Sequence, residues 1–304
     1  MRHMGWKIED TFLETENINK ELLHQVLNNW LLIYDEFLKW FIMFSSLLFS
    51  AENRIAEQSE AIDPASDDRW RAFTVLTGAI TSQLIAIRRL VEAGLDFPAK
   101  QIVRCLNEYL DLSSAINLDK QLRDDFLRLD DLDGANEFWK THLMSSRTKK
   151  GTRLIREDMI NRIMPGLVDK RSSAQWGEFR KQEDKILHAC IHPNFVAAYM
   201  ATFGNIFDEK ENSVRWPKAL GVKTELSVRT LSYAVTTMLE YILVGYMPDQ
   251  IVMIPGLEPA LMKDEHLSII YNYVKHGRSV LIELGMYVAA NLSAPELSLP
   301  EVSL

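Results

Sequence analysis

The chain has 304 residues, of which 47% are hydrophobic, and its 34 Lys and Arg against 42 Asp and Glu give a formal net charge of −8. This composition is typical of a globular protein and excludes a disordered or collagen-like chain. Only 13 Gly and 10 Pro are present. Because these residues form most turns, their scarcity favours long helices with few connections.

The hydrophobic pattern is helical almost throughout the chain. Helices are predicted, in chain order, at about 17–58, 68–93, 96–117, 119–129, 135–145, 153–164, 172–192, 225–247 and 264–291, and residues 195–207 continue the helix of 172–192 at a new angle. Only residues 251–254 have the composition of a strand, and four residues do not make a sheet. The sequence therefore predicts an all-α fold, a large bundle of about seven to nine helices without a significant β-sheet.

One helical domain is expected over 17–292, after an N-terminal extension at 1–16 and before a flexible C-terminal tail at 293–304. Within this tail, Pro-Glu-Leu-Ser-Leu is followed by Pro-Glu-Val-Ser-Leu at 295–304. This repeat is either a frayed terminus or a linear docking peptide for a partner.

Cysteine usage and hydropathy favour a cytoplasmic protein. The two cysteines, Cys105 and Cys190, are too few to stabilise a chain of this size by disulfide bonds. So low a cysteine content is typical of proteins in a reducing compartment. No uncharged apolar run reaches the ~18–20 residues of a membrane-spanning helix, and no signal-peptide core is present. Glycine-rich phosphate-binding motifs and the nucleophile-elbow motif are also absent. We predict no cofactor, and catalysis stays an open question.

The first two long helices are unusually apolar. Residues 40–44, Trp-Phe-Ile-Met-Phe, are apolar around the whole helix and must be buried in a core or in a subunit interface. A homodimer through this aromatic helix is thus the alternative to burial in the core. The next helix has no charge between Ala72 and Ile87, which predicts a central helix surrounded by others.

Charge is distributed unevenly along the chain. From Lys140 to Lys185 there are 12 Lys and Arg against 6 Asp and Glu, whereas the rest of the chain is strongly acidic. Positive charge attracts phosphates and acidic proteins. Residues 140–185, the basic segment, are therefore the expected contact surface for a protein or nucleic-acid partner. Its candidate binding residues are Arg147, Lys149, Lys150, Arg153 and Arg156.

A polar side of the third helix is the candidate catalytic surface. Arg104, Asn107, Glu108 and Asp111 gather on this side at 100° per residue. The side is either solvated, with an Arg104–Glu108 pair worth a few tenths of a kcal/mol, or it lines a cleft against the basic segment. In the second case Arg104, Glu108 and His188 would serve an RNA-directed hydrolase. His188 would be the general base and Arg104 would stabilise charge developing on phosphate.

A row of potential metal ligands lies on one predicted helix. Asp184, His188 and His192 recur every four residues, and two His with a carboxylate can bind a metal ion. A helical metal-dependent oxidase is therefore a further alternative. No second His/Glu pair at matching spacing completes a four-ligand set, so no metal site is assigned.

Three glutamates are isolated charges in otherwise apolar helical runs: Glu183, Glu240 and Glu283. A buried carboxylate without a partner is costly, so Glu183 should have a cationic partner. The candidates for this partner are Arg88, Arg104 and Arg229. The three glutamates indicate a buried polar network that serves either structural specificity or a catalytic carboxyl group.

Two stretches of the chain carry a resemblance to known proteins. The first is Gly94-Leu95-Asp96-Phe97-Pro98-Ala99 followed by Ile102, Arg104, Leu106 and Glu108; the second contains Trp176, His188 and His192-Pro193-Asn194. They resemble helical prokaryotic proteins of unknown function, some found in phage-defence or abortive-infection settings. The resemblance implies an all-helical fold and a defence or stress setting, and no particular reaction.

More distantly, the chain is similar to the helical HEPN ribonucleases. Their catalytic Arg and His are separated by fewer residues than the seven between Arg180 and His188, which argues against RNA cleavage by that motif. The sequence thus favours a prokaryotic macromolecular-interaction protein of phage defence or stress response, with the basic segment as its contact surface.

Overall fold

The computed structural model describes residues 8–57, 64–128, 132–143, 170–191, 224–245 and 262–291. This part of the chain forms eight α-helices and no β-strand, which confirms the predicted all-α bundle. The helices are α1 (Ile8–Glu57), α2 (Pro64–Glu92), α3 (Asp96–Leu118), α4 (Lys120–Leu127), α5 (Leu132–Phe138), α6 (Lys170–Ile191), α7 (Thr224–Glu240) and α8 (Glu265–Ala290). Single π-helical turns, Trp139–Leu143 and Tyr241–Gly245, extend α5 and α7. The helices predicted at 153–164 and 195–207, the strand-like 251–254 and the tail lie outside the described residues.

The first helix begins at Ile8, nine residues before the predicted start at Asn17. The polar residues around Asn17 suggested that the helix begins there. The residues before them include several carboxylates, whose negative charge stabilises the positive end of a helix dipole, so the helix can begin earlier. Residues 8–16 therefore belong to α1.

The turn between α2 and α3 contains a glycine in the left-handed conformation. Gly94 has φ of 73°, and its N–H donates to the carbonyl of Val91 at 3.0 Å. The N–H of Leu95 donates to the carbonyl of Leu90 at 2.8 Å, so the two bonds end α2 in the Schellman pattern. This turn sets α3 against α2 in antiparallel orientation.

Asp96, the first residue of the helix predicted at 96–117, does not cap it. The capping position is Leu95, and Asp96 lies in the first helical turn, almost fully buried. Its carboxylate accepts a 2.7 Å hydrogen bond from the Ser227 hydroxyl of α7. The side chain thus joins two helices instead of capping one.

The aromatic side chains of α1 fill the core. Trp40, Phe41 and Phe44 are fully buried, and the Trp40 Nε1–H donates to the carbonyl of Val274 at 2.9 Å. Burial with a satisfied polar tip is the stable arrangement for such side chains. The core interpretation is therefore confirmed for these three residues. Ile42 and Met43, on the opposite side of α1, are exposed.

The seventh helix is the internal axis of the bundle. It contacts α1, α3, α6 and α8, and every described side chain from Ser227 to Glu240 except Arg229 is buried. Its π-helical turn continues into this core, where the Tyr241 hydroxyl lies 3.1 Å from that of Ser113 and burial raises the pKa of Tyr241 to about 12.

The expectation that α2 is surrounded by other helices is wrong on one side. Val75 is 55% exposed, and Ile85 and Ser82 on the same side are exposed as well. Phe49 of α1, 53% exposed, lies beside the Gly78 position of α2. The uncharged stretch of α2 is covered by α1 and α3 and leaves an apolar surface on its remaining side. We call the surface formed by Ile42, Phe49, Val75, Ser82 and Ile85 the α1–α2 face.

Within the described residues, no helix combines the length and the apolar character that crossing a membrane requires.

Gly285 provides a test of the packing between α7 and α8. A Cβ atom at Gly285 would lie 2.8 Å from both terminal methyl groups of Leu239 and 3.0 Å from its Cβ. Because the Leu239 Cβ cannot swing away, we expect Gly285→Ala to reduce the free energy of unfolding by about 1–3 kcal/mol, measured by urea denaturation.

The matched control is Gly177→Ala on α6. No atom lies within 4 Å of a Cβ at that position, so the variant should gain about 0.5–1 kcal/mol from helix propensity alone. An unchanged or higher stability of the Gly285→Ala variant would contradict the described contact between α7 and α8.

Candidate functional site: a buried polar cluster between α3, α6 and α7

The polar cluster forms where α6 packs antiparallel to α3. Lys100 near the start of α3 contacts Glu183 of α6, whereas Asp111, further along α3, acts electrostatically on Arg180, earlier in α6. The seventh helix runs parallel to α3, since Asp96 contacts Ser227 and later residues of the two helices meet in turn. Three segments far apart in the chain thus supply one site.

Glu183 is the centre of the cluster. Its side chain is 0% exposed, and it accepts hydrogen bonds from Lys100 Nζ at 2.6 Å and from Arg229 Nε at 2.5 Å. Lys100 is itself 1% exposed and Arg229 26% exposed. The arrangement is a cation–anion–cation triad around a buried carboxylate, with one residue from each of α3, α6 and α7.

The prediction of a cationic partner for Glu183 is confirmed, and Arg229 was one of the three candidates. Arg88 instead pairs with Asp35 at 2.7 Å, and Arg104 pairs with Glu108 at 2.8 Å on its own helix. Lys100 was not predicted, because its position on α3 carries no pattern that distinguishes an inward lysine from a solvated one.

A second buried ion pair lies beside the triad. Arg180 NH1 of α6 is 2.8 Å from Glu240 Oε1 of α7, and both side chains are largely buried. Burial alone would lower the pKa of Arg180. Electrostatic interactions outweigh this effect and hold the pKa above its ordinary value; they come from Glu240, Tyr233, Asp184 and Asp111. Glu240 therefore belongs to the polar network that the sequence indicated.

A third contact connects all three helices through a tyrosine. The Tyr233 hydroxyl of α7 donates to Asp184 Oδ1 at 2.6 Å and accepts a longer hydrogen bond, 3.4 Å, from Asn107 Nδ2 of α3. Asn107 is buried. The polar side of α3 is therefore packed at this point rather than solvated.

Glu283 does not belong to the network, and its predicted burial is wrong. Its side chain is exposed on α8, as are Val280, Ser279 and His276 on the same side of the helix. The apolar residues around Glu283 suggested a core position, but this side of α8 faces solvent and contains apolar residues without being covered.

The three candidate catalytic residues lie on two packed helices. Arg104 and Glu108 form their ion pair on α3, with Arg104 mostly buried and Glu108 about half exposed. His188 is exposed on α6, two residues before Cys190, whose carbonyl accepts a 2.9 Å hydrogen bond from Gln101 of α3. A hydrolytic site of these three residues would therefore have to form between α3 and α6, and not along a single helix.

The row of potential metal ligands is not assembled in the described part of the chain. Asp184 is engaged by the Tyr233 hydroxyl, His188 is exposed, and His192 lies outside the described residues. Among the residues that the structure describes, no group of three or more His, Cys, Asp or Glu could hold a metal ion.

The two ends of the basic segment are described, whereas its five candidate binding residues, 147, 149, 150, 153 and 156, lie outside the described residues. Lys140, Lys181 and Lys185 are exposed. Arg180 is directed into the bundle and paired with Glu240, so its charge does not contribute to a surface.

Neither thiol has the character of a catalytic nucleophile. Both cysteines are free, and burial raises the pKa of Cys190 to about 11, so this thiol stays protonated at neutral pH. Burial likewise raises the pKa of Cys105 above its ordinary value.

The triad makes a testable prediction about stability. Glu183→Gln leaves the buried Lys100 without the carboxylate that neutralises it, and we expect it to reduce the free energy of unfolding by about 3–5 kcal/mol. Glu178→Gln, on the exposed side of the same helix and 3.9 Å from Lys181, should change it by less than about 1 kcal/mol. Urea denaturation of both variants measures the difference, and equal effects would contradict the burial of the triad.

Comparison of the chain with protein-family models, with curated proteins and with solved structures found no match.

Proposed function

We propose that this chain is a prokaryotic helical macromolecular-interaction protein that binds an anionic partner through the basic segment. The observation that carries the proposal is the division of charge on α6. Its inward charges, Arg180 and Glu183, are neutralised by partners on α3 and α7, whereas Lys181 and Lys185 are exposed on the outer side.

This division presents cations on a pre-oriented surface. The buried pairs fix the rotation of α6 about its axis, so Lys181 and Lys185, one helical turn apart, project from the same side. A partner that binds there does not have to order the helix first, which reduces the entropic cost of binding. Lys185, together with Lys181, which lies 3.9 Å from the exposed Glu178, would attract an anionic partner to this surface.

The setting of this binding is part of the proposal. The proposed role in phage defence or stress response rests on the resemblance of residues 94–108 and 176–194 to helical prokaryotic proteins. A cytoplasmic location is supported by the two free thiols. Nucleic acid and an acidic protein both satisfy the chemistry of the surface, and the experiment below separates them.

An RNA-directed hydrolase is the second candidate, because α3 and α6 pack together beside the Arg104–Glu108 pair and His188 lies on α6. In this alternative His188 would be the general base and Arg104 would stabilise phosphate charge. The metal-dependent oxidase has no support among the described residues, since Asp184 is engaged by Tyr233.

A homodimer through the α1–α2 face is a further part of the proposal. This face is uncharged and exposes Phe49 and Val75 by more than half. Contiguous apolar surfaces of this kind mark interaction sites, and a two-fold axis would cover the same residues on both copies. A second copy is the simplest occupant, because an uncharged face lets two acidic chains approach.

Binding through the basic segment is tested with labelled single-stranded RNA and, separately, with a labelled poly-glutamate peptide. If RNA is the partner and four cations contact phosphates, affinity should fall roughly 50-fold between about 50 and 200 mM salt. Replacement of Arg147, Lys149, Lys150 and Arg153 by Gln should abolish most of this binding and flatten the salt dependence. Fluorescence anisotropy measures both effects, with Lys39→Gln on α1 as the control.

Binding that persists at about 0.5 M salt, or in the four-residue variant, would contradict the proposal. Binding of the peptide alone would assign a protein partner. RNA recovered from the assay with the native chain should be of full length. If the native chain shortens the RNA and the His188→Ala variant does not, the result would instead support the hydrolase.

The dimer is tested by light scattering after size-exclusion chromatography. We expect the native chain to show a dimer that dissociates on dilution, and Phe49→Glu to be monomeric because it places a charge in the α1–α2 face. Ile269→Glu, an equivalent change at an exposed position of α8, should leave the dimer intact. A native chain that is monomeric over the whole concentration series would contradict this part of the proposal.

A further inference from the structure

We infer that the homodimer is a bridge: it presents the exposed lysines of its two α6 helices in opposite directions and joins two anionic partners, rather than holding one partner between its copies. The inference rests on the proposed function, both on binding through the basic segment and on the dimer through the α1–α2 face. It adds how many partner molecules a dimer binds and where on the dimer they lie.

The described helices form a closed ring around α7. Neighbours in this ring contact each other in the order α1, α2, α3, α6 and α8, and α8 contacts α1 to close it. Four of these five helices, α1, α3, α6 and α8, also contact α7 at the centre. In a ring of five, the position across from α6 is the edge between α1 and α2. The α1–α2 face and α6 therefore lie on opposite sides of the molecule.

The exposed lysines of α6 project away from the α1–α2 face. Glu183, which is 0% exposed, marks the side of α6 that is directed into the bundle. At about 100° per residue, Lys181 and Lys185 each lie about 160° from Glu183, in opposite senses around the helix. Both lysines are exposed. They consequently extend outward from α6, with α7 and the α1–α2 face behind them.

The outward residues of α2 suit a second copy of the chain as the cover of the α1–α2 face. Within the uncharged stretch of α2 they match in both directions from residue 80, because Val75 and Ile85 lie five positions from it and Gly78 and Ser82 lie two positions from it. A two-fold axis at this level sets Val75 opposite Ile85 of the second copy, and Gly78 opposite Ser82. Such self-complementarity is what a two-fold interface requires.

The dimer separates its two α6 helices widely. Each copy contributes three layers of helices, namely α6, α7 and the pair of α1 and α2, and five spacings of about 8–10 Å place the two α6 axes about 40–50 Å apart. A ten-residue peptide spans at most about 36 Å. Eight nucleotides at about 3.4 Å each span about 27 Å. Because the two surfaces also face away from each other, one such ligand does not reach both, and a dimer binds two.

A capture assay with two labelled probes tests the inference. The probe is the one that the chain binds in the anisotropy assay, used here as an eight-nucleotide RNA or a ten-residue poly-glutamate peptide. One copy of it is fixed to beads and a second copy carries a fluorophore. The native dimer should retain the fluorescent probe at least about tenfold above the level without protein, and titration should give two probes per dimer.

Three variants serve as controls. Phe49→Glu and Val75→Glu change exposed side chains of the α1–α2 face, so both should fold, remain monomeric and bind a single probe with native affinity. Neither should retain the fluorescent probe on the beads. Ile269→Glu, which leaves the dimer intact, should retain it as the native chain does.

One probe per native dimer would overturn the inference and leave the proposed function standing. Capture of the fluorescent probe by a monomeric variant would do the same, because the two sites would then not come from two copies. A failure of the proposed function is recognised separately. The native chain would then bind no probe in the anisotropy assay or would be monomeric in light scattering, and the bridge would be refuted with it.

Discussion

The arrangement of the bundle depends on one buried carboxylate, that of Glu183. It is completely removed from water and lies between two cations that come from residues 100 and 229. In a medium of low dielectric constant such a charge must be paired, so the three helices are constrained to one register. A shift of α6 by one residue would rotate the carboxylate by about 100° and separate it from both cations.

Hydrophobic patterning alone predicted most of the fold, since the 3.6-residue period is a local property. The helices predicted around residues 96–117 and 264–291 agree closely with α3 and α8. The glycine that ends α2 was also predictable, because a left-handed residue is needed there and only Gly94 supplies it without strain. These features are determined by residues within a few positions of each other.

The candidate site was predictable only in part. Glu183 stood out because a charge occupied the apolar side of a helix, but the identity of its partners depends on how distant segments pack. Arg88 and Arg104 were reasonable candidates by charge, yet Asp35 and Glu108 engage them. The errors at α2 and Glu283 have a related cause. A pattern shows that a surface is apolar and does not show whether another element covers it.

The internal position of α7 has a consequence for how the chain is made. The core around Phe41, whose ring packs 5.9 Å from that of Tyr241, is completed only by residues near position 240. At about 5–20 residues per second, a ribosome needs roughly 6–25 seconds to proceed from the end of α3 to the end of α7. During this interval the aromatic side of the nascent N-terminal helices lacks its final cover, so apolar surface stays exposed until α7 has been synthesised.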